Sequence, residues 1–142
     1  MAFGAGINTE TRTSIEDLVG EFNWRLDHGI PEGFASLFTR DGSFTAAGKT
    51  HQGTEQLQCF ADNRTAQDKV SRTILGIHRL QLVSADEITG RLDYILFMGP
   101  QEGPKPADPA AVGEYIDTYR REDGVWRIAA RESRQVFARP KA

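Results

Sequence analysis

The side chains of this 142-residue chain that could do chemistry are few and scattered. Asp27 closes the segment TSIEDLVGEFNWRLDHG, where helical spacing sets it beside Asn23, next to the apolar stripe rather than opposite it. A carboxylate in an apolar hollow has its pKa raised, because burial disfavours the charge. Such a group can relay a proton or orient a histidine. A helix-end aspartate that bonds nearby backbone groups is the structural alternative. Tyr94 lies in RLDYILF, where Leu92, Tyr94 and Leu96 share one face and Asp93, Ile95 and Phe97 the other. The charge on Asp93 marks the Tyr94 face as interior. A buried tyrosine hydroxyl needs a partner and can act as an acid or oxyanion donor, or simply pack with its tip bonded. In GEYIDTY, Tyr115, Asp117 and Tyr119 share one face, a pocket wall or a dimer surface.

His78 sits in SRTILGIHRL, an apolar run that reads as one strand. Strict alternation puts Thr73, Leu75 and Ile77 on one side and Arg72, Ile74 and His78 on the other. With the pocket on the Thr73 side, His78 points outward, to packing or a dimer contact. A bulge at Gly76 would reverse that. His28 and His51 fall in polar turns and are expected in solvent, and Cys59, beside Phe60, is expected in the core. One cysteine forbids an internal disulfide, and no CxxC pair, HxxxH pair or Cys/His cluster suggests a metal.

These residues need elements to hold them. In the first helix Ser14 is the expected cap, with Glu16 and Asp17 in the first turn. Ile15, Leu18, Val19, Phe22 and Leu26 form the buried stripe, and Gly29 and Pro31 end the helix. PEGFASLF predicts a second short helix. TRDGSFTAAGKTHQG predicts a strand or hairpin turning at Asp41–Gly42, and TEQLQCFADNRTAQ a helix capped by Thr54. SRTILGIHRLQLVSA, EITGRLDYILFMG and two strands around EDG complete a β-rich second half. GPQEGPKPADPAAVG, with its prolines and glycines, predicts a long mobile connection between strands. Helices followed by consecutive strands predict an α+β domain, a curved antiparallel sheet wrapped around N-terminal helices, over residues 14–138. Residues 1–13 read as a flexible arm. Apolar residues at 39%, charged residues at 26% and a net charge of −3 without a basic stripe suit a globular protein and argue against nucleic acid. No apolar run reaches membrane-helix length and no signal peptide is read at the N-terminus, so the expected compartment is the cytoplasm.

LDHGIPEGFASLFTRDGSF, HQGTEQL and GEYIDTYRREDGVWRIAAR, in this order over residues 14–137, resemble the SnoaL-like branch of the nuclear-transport-factor-2-like superfamily. The resemblance implies a cone-shaped, cystatin-like α+β fold with a deep pocket, and homodimers. Its enzymes include polyketide cyclases, scytalone dehydratase, ketosteroid isomerase and a dehydrochlorinase, and HRLQLVSADEITG is locally most similar to the last. It implies that Asp27 lines the pocket as the proton-transfer group, and that Arg131 stands near the pocket mouth, where with Tyr94 it would polarise a carbonyl or hold an anion. Phe22, Trp24, Thr73, Leu75, Ile77 and Tyr115 would line the substrate pocket. In the lyase branch a histidine follows the Ser/Thr-Arg pair and abstracts the proton, with an asparagine four residues on. Here the pair Ser71-Arg72 is followed by Thr73, and Ile77 takes the later position. The implied function is acid–base catalysis (isomerase, dehydratase or lyase, cyclase) on a small hydrophobic or polycyclic molecule, with no cofactor or metal. The alternative is a non-catalytic binding protein, or an accessory subunit like the β-subunits of aromatic-ring dioxygenases.

Overall fold

The computed structural model describes residues 3–140. The first helix, α1 (Thr9–Asp27), starts earlier than Ser14 as cap predicts. Asn8 caps it instead, its side chain accepting from the Thr11 amide at 2.8 Å. Residues 9–13, expected in the arm, are therefore helical, and the Ser14 hydroxyl donates back to the Glu10 carbonyl. The stripe Ile15, Val19 and Phe22 is buried as expected, and Asn23 is buried with it. At the C-terminus Gly29, with φ of 69°, lets the Ile30 amide reach back to the Arg25 carbonyl. PEGFASLF forms only a 3₁₀ turn, Phe34–Leu37.

Strand β1 (Phe38–Ala46) does not end at Asp41–Gly42, where a turn was expected, but bulges there. Gly42 is instead a close approach: a Cβ there would meet the Phe38 Cβ at 2.8 Å, and the pairing with the last strand shifts register between Phe38 and Ser43. The turn to β2 (Lys49–Gln52) falls at Ala47–Gly48, both with positive φ. Helix α2 (Gly53–Thr65) is preceded by Gln52, not capped by Thr54, and buries Leu57 and Ala61. Cys59 is exposed on its outer side, and His51, in β2, is half-buried against Phe44 and Phe60 rather than in solvent.

The predicted single strand around His78 is two: β3 (Val70–Leu75) and β4 (Arg79–Ser84). Both pair antiparallel with the long β5 (Glu87–Gly99), end to end, β3 along its second half and β4 along its first. β6 (Ala111–Glu122) and β7 (Val125–Ala138) follow, joined by the expected hairpin at Asp123–Gly124, both in the left-handed region. The curved, unclosed seven-stranded sheet runs β2-β1-β7-β6-β5-β3, with β4 also on β5. All pairs are antiparallel except β1 with β7, which is parallel. Residues 100–110 hold no helix or strand. They are tethered at Gln101, whose amide donates to the Lys69 carbonyl, and at Ala110, whose amide reaches Leu96.

The concave face packs on α1 and α2. Phe22, Phe34, Phe38 and Phe44 cluster with ring centroids 5.1–6.2 Å apart, against Ile88, Leu92, Tyr115, Tyr119 and Ile128. Trp126 anchors this core beside the hairpin. The opposite face carries a row of apolar side chains in register across four strands, Ile74–Ile95–Val112–Phe137.

Candidate active site

The last turn of α1 lies against β3, and Asp27 is the tie between them. Its Oδ1 accepts from the Ser71 hydroxyl at 2.7 Å and from the Thr73 hydroxyl at 3.2 Å. Its Oδ2 accepts from the Thr73 amide at 2.8 Å. All three donors are neutral. The Arg72 guanidinium donates to the Asp27 and Ser71 carbonyls, and Arg64 of α2 donates to the Ser71 hydroxyl at 3.0 Å. Asp27 is half-buried and stands in the wall of a hollow of about 230 Å³, shared with Leu26, His28, Arg64, Lys69, Arg72 and Gln101. That hollow is polar, not the apolar pocket the sequence suggested.

One helical turn back, Asn23 donates to the Tyr115 hydroxyl at 3.1 Å. Burial pushes the Tyr115 phenol up to about 12, so it stays neutral. Tyr94 stacks on Tyr115 at 4.6 Å and bonds Ser133 at 2.8 Å, a partner supplied by β7. Gly113, facing Tyr94 in the ladder, leaves the ring its path: a Cβ there would stand 2.6 Å from the hydroxyl.

Deeper still, Arg131 is fully buried beneath Tyr115 and Phe22, its guanidinium 3.9 and 4.5 Å from their rings. It does not pair with Asp27. Nε and Nη2 hold both oxygens of buried Asp117 at 2.9 and 2.7 Å. Burial alone would lower the Arg131 pKa, but the Asp117 charge and hydrogen bonds outweigh it and the net shift is upward. The Tyr119 hydroxyl also donates to Asp117, and His78 Nε2 meets that hydroxyl at 2.8 Å. Thus His78 points inward, correcting the outward placement. The break between β3 and β4 supplies the one-residue slip, so inward residues switch from Ser71, Thr73 and Leu75 to His78 and Leu80. Burial lowers the His78 pKa, offset in part by Asp117. Two buried polar atoms have no partner among the described residues, Asn23 Oδ1 and Arg131 Nη1.

The structure therefore joins Asp27 with Thr73, and Tyr94 with Tyr115, Phe22 and Arg131. It leaves two expected lining residues outside. Ile77 is 88% exposed in the strand break, and Trp24 is 55% exposed and stacked on His28. Leu75 is half-buried at the end of β3 and packs against the core, whereas Phe22 is wholly core. Sequence reasoning did not single out Arg64 or Ser71. The signal for Arg64 was its place at helical spacing after Leu57 and Ala61, a charge on a buried stripe. Among the described residues no three His, Cys, Asp or Glu side chains gather as a metal site, and no helix is long and apolar enough to cross a membrane.

The SnoaL-like domain profile matches residues 8–132. The chain belongs to the SnoaL-like family. It is 30% identical over 134 residues to the gamma-hexachlorocyclohexane dehydrochlorinase of Sphingobium indicum, covering 93% of this chain and 85% of that enzyme. The crystal structure of LinA superposes with a TM-score of 0.80 at 26% identity, covering 94% of this chain and 90% of that one. A Novosphingobium aromaticivorans protein described as the β subunit of an aromatic-ring-hydroxylating dioxygenase superposes at 0.77, with 18% identity and 92% of each chain, which speaks to the fold alone.

Proposed function

We propose that this SnoaL-like protein catalyses acid–base chemistry on a small molecule, an isomerisation, elimination or cyclisation, with Asp27 as the proton-transfer group. The observation that carries this reading is the environment of Asp27. Neutral donors fix the carboxylate, none of the ion pairs among the described residues includes it, and Asp27 lines an open hollow. The proton leaves a carbon acid for Asp27 while the C–H electron pair moves into the substrate. In an isomerisation the proton returns at another carbon, and in an elimination the electron pair expels an anion. Arg131 Nη1 and the Tyr94 hydroxyl are the groups of this reading that would polarise a carbonyl reaching the interior. The active form is a homodimer, which light scattering on the purified chain tests.

The test uses hexachlorocyclohexane, followed by chloride release, and a cyclic β,γ-unsaturated ketone, followed by conjugation. Asp27→Asn keeps the volume and removes the titrating group. It should cost about a thousandfold in rate, roughly 4 kcal/mol of barrier, with the fold intact by circular dichroism. Undiminished turnover in that variant would remove Asp27 as the base.

A second reading, a binding protein or accessory subunit, draws on Thr73 standing where the lyase branch has its histidine, and on the aromatic filling of the core. It expects both probes to bind without turnover by the wild-type chain. In that case Thr73→His, which places an imidazole against Asp27, is the variant that should gain chloride release.

A further inference from the structure

We propose that the hollow beside Asp27 is an anion subsite, in which Arg64, Lys69 and Arg72 hold a carboxylate or phosphate group of the molecule this chain acts on. This rests on the reading of Asp27 as the proton-transfer group and adds the substrate class. Arg12, Arg25, Arg40, Arg91, Arg120, Arg121, Arg131, Arg134 and Arg139 each have a carboxylate within 4.0 Å. None of the ion pairs among the described residues includes Arg64, Lys69 or Arg72, yet all three line the same hollow. Against them stands one carboxylate, Asp27, so the hollow carries a surplus of positive charge.

Arg64 is half-buried on the inner side of α2, and burial pulls its pKa down, with Asp27 and Tyr115 only partly restoring it. A guanidinium drawn out of water without a close anion is unfavourable, and a bound anion offsets that cost. Its one side-chain hydrogen bond, to the Ser71 hydroxyl, orients it, as the two carbonyls orient Arg72. A planar guanidinium fixed in this way keeps N–H donors for a two-oxygen partner. Ser71 also bridges Arg64 to Asp27, so anion holder and proton acceptor sit side by side, one hydroxyl apart.

A hollow of about 230 Å³ is below the span typical of sites that enclose a whole drug-sized ligand. It suits the head of a small oxyacid, whose reacting carbon then lies at Asp27.

The experiment is titration calorimetry on the full chain with benzoate, phenyl phosphate and uncharged benzyl alcohol. The expected result is saturable binding of one or both anions and none of the alcohol; the tighter anion identifies the group. The double variant Lys69→Gln/Arg72→Gln changes two exposed side chains, and it should weaken binding by about tenfold or more. Asp27→Asn should tighten it, because a like charge leaves the hollow. Failure of both anions to bind, or equal binding to the double variant, overturns the subsite and leaves the Asp27 turnover test untouched. Anion binding with undiminished turnover in Asp27→Asn overturns the reading of Asp27 instead and leaves the subsite standing.

Discussion

Two carboxylates, Asp27 at the end of α1 and Asp117 in β6, lie in separate parts of the molecule, and the fold treats them in opposite ways. Asp117 is 2% exposed and surrounded by charge-matched and hydroxyl donors: a bidentate guanidinium, a tyrosine and behind it a histidine. Asp27 is half-buried and held by two hydroxyls and an amide. A carboxylate locked to a guanidinium cannot take a proton without stranding the arginine's charge in the core. A carboxylate held by neutral dipoles is fixed in place with no guanidinium in direct contact, so taking up a proton strands no buried charge. Hydrogen-bond counts alone would not separate them; the charge of the donors does.

The same isosteric change at both sites separates them. Asp117→Asn leaves buried Arg131 without its counter-charge and should cost about 3–5 kcal/mol of unfolding free energy. Asp27→Asn exchanges one acceptor for a donor at a half-buried site and should cost about 1 kcal/mol. Urea denaturation of both variants measures this. Equal losses would mean that Asp27 is as structural as Asp117.

Much of this fold was legible in the sequence, because the signals were local and redundant. The stripe of α1, the alternation around Tyr94 and the Asp123–Gly124 turn each follow from one periodicity or one positive-φ pair. Some failures were local, as when Asn8 displaced Ser14 as the cap of α1, and others depended on a partner elsewhere in the chain. Asp41–Gly42 read as a turn between elements, and the structure makes it a bulge inside β1, where Phe38 and the Ile128 carbonyl press on Gly42. His78 faces inward because β3 stops at Leu75 and β4 resumes at Arg79, a break that β5 dictates. At the candidate site, the helix-end position of Asp27 was visible, but the donors that define its chemistry, Ser71 and the Thr73 amide, come from a strand more than forty residues away. Arg131 was singled out without its partner, since nothing local to GVWRIAAR reveals Asp117.

An intermediate effect is expected where Gly90 makes room for the Asp117 network. A Cβ at that position would lie 2.8 Å from the Tyr119 ring and 2.9 Å from His78 Nε2. Gly90→Ala must push His78 away from Tyr119, and overpacking of this kind costs roughly 1–3 kcal/mol. The Asp27 end of α1 is built on β3 and should be indifferent. Benzoate titration of Gly90→Ala should therefore match the wild type while its denaturation midpoint falls. A loss of anion binding would show that the two carboxylates belong to one coupled unit.

The smallest effect tests whether the Asp117 region is closed to protons. His78 has its pKa lowered, by burial first and against the pull of Asp117, so the native state holds it neutral into mildly acid solution. The unfolded chain titrates it at the ordinary histidine value of about 6.5. As pH falls below about 6.5, the unfolded chain takes up a proton that the native chain refuses, and stability declines until the folded pKa is reached. Above about 7.5 this contribution is flat. His51 is shifted in the same direction, by burial and Lys49, so the wild-type curve contains both. Subtracting the unfolding free energies of His78→Gln from those of the wild type isolates His78. The difference should fall on acidification with a slope no steeper than about 1.4 kcal/mol per pH unit. A difference that rises instead would mean that the Tyr119–Asp117 pair captures the proton and stabilises an imidazolium. The buried network would then be the proton-accepting region, and Asp27 would lose its distinction from Asp117.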